Sequence, residues 1–194
     1  MPRTICISVC MFGLFICSSC RKDRFNFYTG KYTFETFTIK AGTHRSTQKV
    51  SLLQRKQLKF IAYFDSSAIY TLSDSVEQYD INKLFGFSDC GTLHEQNSAR
   101  FGWRYLNNRI EIFAYVYCNG VRHTQYLTCV SPFEQVIYQI IAENNFYIFN
   151  VKDAYAELPR ACNDEHNIKY HLFPYFGGTL EAPHDINIYI KEIN

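Results

Sequence analysis

The chain has 194 residues, 17% of them aromatic, with 15 Tyr and 17 Phe, and a formal net charge of only +2. Its 20 basic residues face 18 acidic ones, so no cationic excess exists to neutralise a phosphate backbone, and nucleic acid is excluded as an expected partner. Aromatics at this density suit pleated, half-buried strands, and tyrosines on an open sheet face can also stack on a ligand.

The first element in chain order has the grammar of an export signal. Arg3 supplies the positive start, and Ile5 to Cys17 is an apolar run of about 13 residues, within the ~7–15 of a signal core. A spanning helix needs about 20 apolar residues, so this run is too short to be a permanent anchor. Ser18 and Ser19 are small, and Cys20 follows directly. Small-small-Cys after an apolar run resembles the lipobox of bacterial lipoproteins, with Cys17 standing where Leu is usual. The resemblance implies cleavage before Cys20, lipidation of Cys20, and a membrane partner reached through acyl chains whose buried CH₂ groups contribute about 0.8 kcal/mol each. An ordinary cleaved signal with an incidental Cys is the alternative. Arg21-Lys22-Asp23-Arg24 resembles a tether, and also the charged signal that sends some lipoproteins to the outer face of the outer membrane. The expected division is 1–19 as lipoprotein signal peptide, 20–30 as lipidated Cys and tether, and 31–194 as one β-sandwich domain. The expected location is the cell envelope, in the outer membrane of a Gram-negative bacterium.

Of eight Cys, three lie in the signal and Cys20 is the lipid site. Cys90, Cys118, Cys129 and Cys162 remain, and an exported chain can oxidise them in any of three complete pairings. No CxxC pair or Cys/His spacing resembles a zinc site. No cofactor or metal is expected, apart from a structural Ca²⁺ as a candidate.

Beyond the tether, period-two alternation dominates. The segments that read as strands are 31–40, 58–64, 97–105, 110–118, 121–130, 136–142, 146–151, 170–174 and 186–193. Val50–Gln57 is the one segment that could hold a short helix, and Val76–Leu84 is ambiguous. Asn107-Asn108, Asn119-Gly120 and Asn144-Asn145 carry turn chemistry. Nine or more short strands predict an all-β fold, an antiparallel β-sandwich or jelly roll.

The stretch from Asn97 to Val130 fixes a register. With Asn107-Asn108 and Asn119-Gly120 as two-residue hairpin loops, Trp103 faces Ile112 and Phe101 faces Ala114. Ile110, Val116 and Cys129 share that core side. The opposite side collects Arg104 against Glu111, Arg100 against Tyr115 and Ser98 against Tyr117, with Arg122, Thr124, Tyr126 and Thr128 from the third strand. Cys118 and Cys129 then share a face about eight residues apart, ~26 Å at ~3.3 Å per residue. That is far beyond the ~7 Å a disulfide allows, so they are not expected to pair.

The polar face has the chemistry of a polysaccharide-binding surface. Tyrosine rings can lie flat on sugar C–H faces, and Arg can pair with hydroxyls or a uronate carboxylate. The candidate ligand-binding residues are Arg100, Arg104, Glu111, Tyr115, Tyr117, Arg122 and Tyr126. The plainer alternative is a wet face on which Arg104–Glu111 is a cross-strand ion pair. In the loop Gly86–Gln96, His94 and Glu95 are candidate acid and base, and Asp89 with Glu95 a candidate Ca²⁺ pair. Pro174-Tyr175-Phe176-Gly177-Gly178 presents two aromatics before a permissive backbone. His184-Asp185 is either an oriented imidazole or a turn cap before the last strand.

The order of strands, ending in Tyr-Phe-Gly-Gly, a loop and a final Asp-Ile-x-Ile-Tyr-Ile strand, resembles the concanavalin A-like β-sandwich over residues 80–194. That superfamily includes laminin G-like lectin domains, glucanases and alginate-lyase-type polysaccharide lyases, and the chain looks most like an uncharacterised group of envelope lipoproteins sharing the fold. In lyase-like members Arg neutralises the uronate while His and Tyr exchange protons. Arg100 and Arg104 resemble the Arg-bearing strand and Tyr175 the Tyr strand. The Gln-x-His strand motif and the paired-carboxylate motif of glucanases are both absent. The leading expectation is therefore a lipoprotein that binds a glycan without cleaving it. The alternatives are a polysaccharide lyase using His94, Arg100 and Tyr175, and a structural subunit of an envelope complex.

Overall fold

The computed structural model describes residues 32–47, 49–163 and 168–193. The signal, Cys20 and the tether therefore lie outside the described residues. Twelve strands follow in chain order: β1 (Glu35–Ile39), β2 (Leu52–Leu53), β3 (Gln57–Phe64), β4 (Asn82–Ser88), β5 (Ser98–Leu106), β6 (Arg109–Cys118), β7 (Val121–Val130), β8 (Val136–Ala142), β9 (Phe146–Val151), β10 (Ala154–Pro159), β11 (Lys169–Leu172) and β12 (Ile186–Ile193). They form two antiparallel six-stranded sheets, ordered β1-β12-β3-β8-β9-β10 and β2-β11-β4-β5-β6-β7. Among the described residues no helix is long and apolar enough to cross a membrane.

Alternation drives the two inner faces together. Phe60 and Phe64 on β3, Tyr138 and Ile140 on β8 and Phe149 on β9 meet Phe101 and Trp103 on β5, all with no exposed surface. Ring pairs cross the interface edge-on, as in Phe60–Phe101 at 5.9 Å and Phe101–Phe149 at 5.2 Å. Such pairs add about 0.5–1.5 kcal/mol each beyond burial. Much of the aromatic excess is therefore core.

Four strands end where alternation places them: β7, β8, β9 and β12. The first segment is shorter than the expected 31–40, with its ladder only at Glu35–Ile39, and the expected 170–174 strand runs as Lys169–Leu172. Val50–Gln57 is not a helix. Leu53 is buried while Val50 and Leu52 are exposed, and Leu52–Leu53 pair with β11, so partner strands override the local helical pattern. Val76–Leu84 resolves into a short 3-10 turn at Glu77–Tyr79 and the start of β4. Residues Gly86–Ser88, expected in a loop, complete β4. Strand β10 was not foreseen, because its core contacts come from Ala156 and Leu158 rather than from aromatic or β-branched residues.

The first hairpin has the expected register throughout, from Ser98↔Tyr117 to Leu106↔Arg109. Asn107 and Asn108 both have positive φ, as do Asn119 and Gly120, the backbone that tight two-residue hairpins demand. The second hairpin keeps its register from Cys118↔Val121 to Phe113↔Tyr126, then shifts at a bulge, so Ile112 faces Thr128 and Glu111 faces Cys129. A bulge inserts one residue and reverses the faces beyond it. Cys129 therefore lies on the polar side and Thr128 on the core side, the reverse of expectation. Cys118 keeps its core-side place as a thiol whose pKa burial raises, and the two are not bonded to each other. The disulfide joins Cys90 to Cys162, Cα atoms 5.7 Å apart, across 72 residues.

Candidate functional site

Strand pairing puts Lys83, Gly86 and Ser88 of β4, Ser98, Arg100 and Arg104 of β5, and Glu111, Phe113, Tyr115 and Tyr117 of β6 on the outer face of the second sheet. Arg122, Thr124 and Tyr126 continue it on β7. Tyr170 adjoins from β11, its amide donating to Ser88 Oγ at 3.1 Å.

Arg100 is the centre. It is only 6% exposed, and its Nε has no hydrogen-bond partner. Its guanidinium carbon lies 5.3 Å from the Tyr115 ring centroid. Burial pulls its pKa down, opposed by the nearby Tyr115, Tyr117, Glu95 and Tyr170. A buried cation without an anion is costly, and such groups cluster where ligands bind. Gly86, directly opposite Arg100, makes the arrangement sterically feasible. A Cβ there would lie 2.1 Å from Ala99 O and 2.7 Å from Arg100 Cγ.

Lys83 is the second cation, and the sequence did not single it out. Its Nζ donates to Gly177 O at 2.8 Å and lies 5.4 Å from the Tyr115 centroid and 5.5 Å from that of Tyr175. Burial first, then the Arg100 charge, lowers its pKa to about 8. Tyr175 is held by backbone bonds to Lys83 and stacks on His44, with centroids 5.2 Å apart. His94 belongs to the same neighbourhood. Burial, then Arg100, lowers its pKa, with Lys83 contributing in the same direction.

Of the catalytic candidates, Arg100 and Tyr175 thus meet around Lys83 and Tyr115, and His94 is linked to Arg100 and Lys83 through its electrostatics. The ligand-binding candidates divide. Tyr115 is 3% exposed and its ring carries two cations, so it is floor, not an open stacking platform. Burial raises its pKa to about 12, against the opposing Arg100. Tyr117 is half-buried, 5.9 Å from the Tyr115 ring, and Arg122 and Tyr126 are exposed. Arg104 and Glu111 form a 2.7 Å ion pair, and Arg104 also donates to Tyr79 O and packs on the Phe113 ring. The pair is largely buried, its side chains 19% and 13% exposed.

Asp89 does not join Glu95 in a cation site. It is fully buried, accepts from Arg160 Nε at 2.6 Å, Tyr147 OH at 2.9 Å and the Cys90 amide at 2.8 Å, and has Lys169 Nζ at 3.7 Å. Burial works to raise its pKa, and hydrogen bonds led by Arg160 leave it lowered. The cluster ties β4 and β11 of one sheet to β9 and β10 of the other. Asp89, Cys90 and Cys162 lie close together, but both sulfurs are in the disulfide, so no thiolate is available to a metal. His184 is elsewhere, its Nε2 2.8 Å from Ser67 O. Asp185 accepts from Lys40 and the Ala41 amide, so it caps the turn instead of orienting an imidazole.

No protein-family model and no curated protein sequence matches the chain. Solved structures are similar in fold. Alginate lyase AlyC3 superposes with a TM-score of 0.52 at 10% identity, covering 83% of this chain and 75% of that one. A GH16 protein of a Bacteroides ovatus mixed-linkage glucan locus, solved with a G4G4G3G product, gives 0.48 at 10% identity over 84% of each chain. A β-1,3-1,4-glucanase from a mouse hindgut metagenome gives 0.48 at 11% identity, covering 81% and 77%. The likeness to AlyC3 shows the shared β-sandwich fold.

Proposed function

We propose that the chain is an exported, lipid-anchored β-sandwich that binds a glycan bearing acid groups on the outer face of its second sheet. One observation carries the ligand assignment: Arg100 is buried, packs on the Tyr115 ring and has no ion-pair partner among the described residues. A carboxylate or sulfate on a sugar would supply the missing charge-assisted hydrogen bonds. Tyr117, Arg122 and Tyr126 provide the exposed rim beside it. The anchor rests on the amino-terminal pattern, Arg3, the apolar run and Ser18-Ser19-Cys20. Mass spectrometry of the membrane-extracted chain is expected to find a diacylglyceryl-modified Cys20 as the amino terminus, and an unmodified Cys20 would remove the anchor.

A second reading is favoured by the meeting of Arg100 and Tyr175 around Lys83, with His94 in electrostatic reach of both cations. In a polysaccharide lyase, Arg100 would neutralise the uronate carboxylate, a base would remove the adjacent C–H proton, and a phenol would protonate the departing oxygen. A uronate polysaccharide panel separates the readings. Ultraviolet absorbance from a 4,5-unsaturated product marks the lyase. Retention of an acidic glycan without absorbance marks the binding module. Arg100→Met with Tyr117→Ala is expected to abolish retention while leaving far-UV circular dichroism intact. Unchanged retention would sink the site, and protein capture without glycan retention would support a structural subunit instead.

A further inference from the structure

Lys83 is placed by an irregularity. Between Lys83 and Phe85 the pairing of β4 with β5 shifts, so Leu84 and Phe85 both enter the core while Lys83 turns to the outer face beside Arg100. An ammonium has three donors, and the single hydrogen bond found for Lys83 goes to Gly177 O. The rings of Tyr115 and Tyr175 lie beside it. Arg100 packs on the same Tyr115 ring. Neither cation forms an ion pair with a carboxylate of the described residues. Asp80 and Glu95, the acids that act on them, lie outside that range, and Asp80 instead accepts from the Gly178 amide at 3.1 Å.

We propose that Lys83 and Arg100, both packed on the phenol ring of Tyr115, form a two-cation receptor for oxyanion substituents, carboxylate or sulfate ester, of the bound glycan. The inference rests on the glycan reading and deepens it. It also makes binding depend on pH. The groups facing Lys83 are Asp80 before β4, Arg100 on β5, Tyr115 on β6, Arg122 on β7, Tyr175 after β11 and His94 from the loop before β5. Burial and the two guanidinium groups outweigh Asp80 and hold the empty-site amine near 8. An oxyanion beside Lys83 favours its charged form, so bound Lys83 keeps a proton that free Lys83 loses. Affinity is therefore full below pH 8 and declines as the pH rises through it. His94 titrates on the acid side of that window and Tyr115 at about 12, so neither mimics the effect.

The test is calorimetry of the purified chain with an alginate hexasaccharide, a sulfated galactan hexasaccharide and neutral laminarin hexaose, at about pH 6.5 and about pH 9.5. Wild type is expected to bind at least one anionic probe and to lose about tenfold in affinity at the higher pH. Lys83→Met should bind about tenfold more weakly at the lower pH and show no further loss. Lys83→Arg, which keeps the charge, should retain the low-pH affinity and abolish the decline. The two anionic arms decide between carboxylate and sulfate. Wild-type affinity and slope in Lys83→Met, or laminarin bound as tightly as the anionic probes, would overturn the receptor while leaving glycan binding intact. Failure of all three probes with wild type would overturn both.

Discussion

Replacing Arg100 by Met separates a ligand-binding role from a structural one, because the two predict opposite signs of stability change. The wild-type side chain is 6% exposed with Nε unpartnered, and an unsatisfied buried polar group costs about 1–3 kcal/mol. Contact with the Tyr115 ring, 5.3 Å from the guanidinium carbon, returns about 0.5–2 kcal/mol. Methionine keeps an unbranched stem that can fill the same channel over Gly86 and removes the stranded charge. The expected net is a gain of about 1 kcal/mol, or a Tm rise of ~2–4 °C for a chain of this size. Urea unfolding followed by tryptophan fluorescence reads it through Trp103, the single tryptophan. The same variant should lose glycan retention, the exchange of stability for function expected of a binding site. A loss of more than about 1 kcal/mol would refute the reasoning, since it would show that Arg100 already has adequate compensation in the folded chain.

Other outcomes follow from the same geometry. Gly86→Ala puts a Cβ 2.1 Å from a backbone oxygen of β5, and forced shifts of this kind cost about 1–3 kcal/mol, readable as a lower urea midpoint together with lost retention. Asp89→Ala removes the buried ion pair with Arg160 and the acceptor of the Tyr147 hydroxyl and should cost about 3–5 kcal/mol, measured by the same unfolding curve. The lowered pKa of Asp89 means that its contribution is complete above the ordinary carboxylate value of about 3.9 and disappears as pH falls through the lower native value. Acid unfolding of wild type should therefore show a steep limb that Asp89→Ala lacks. Reducing Cys90–Cys162 reopens a 72-residue loop, with an expected loss of about 4 kcal/mol, seen as a Tm drop in reductant that is absent from a Cys90→Ser, Cys162→Ser double variant.

Legibility in the sequence tracked how local the deciding interactions are. The β5–β6 hairpin was readable because Asn107-Asn108 fixes the turn and the turn fixes every pair above it. Arg100 and Tyr115 followed from that register alone. Two bulges hid the rest. One, between Ile112 and Phe113 in the pairing with β7, moved Cys129 and Thr128 to faces that simple alternation does not allow. The other, beside Leu84, broke the alternation of β4 and concealed Lys83. Bulges carry no fixed residue signature, so period-two counting passes over them. Asp89 read as a loop carboxylate because its partners Arg160, Tyr147 and Lys169 are 58 or more residues away. The Cys90–Cys162 pairing was likewise set by the packing of the two sheets, which spacing does not encode.

The central claim is most directly tested by a crystal structure of the chain with a uronate hexasaccharide. The account predicts a sugar carboxylate about 3 Å from the Arg100 guanidinium, with the chain of sugars running past Tyr117 toward Tyr126. An oligosaccharide seated on the outer face of the first sheet, against Tyr63 and Tyr189, with Arg100 still unpaired, would contradict it.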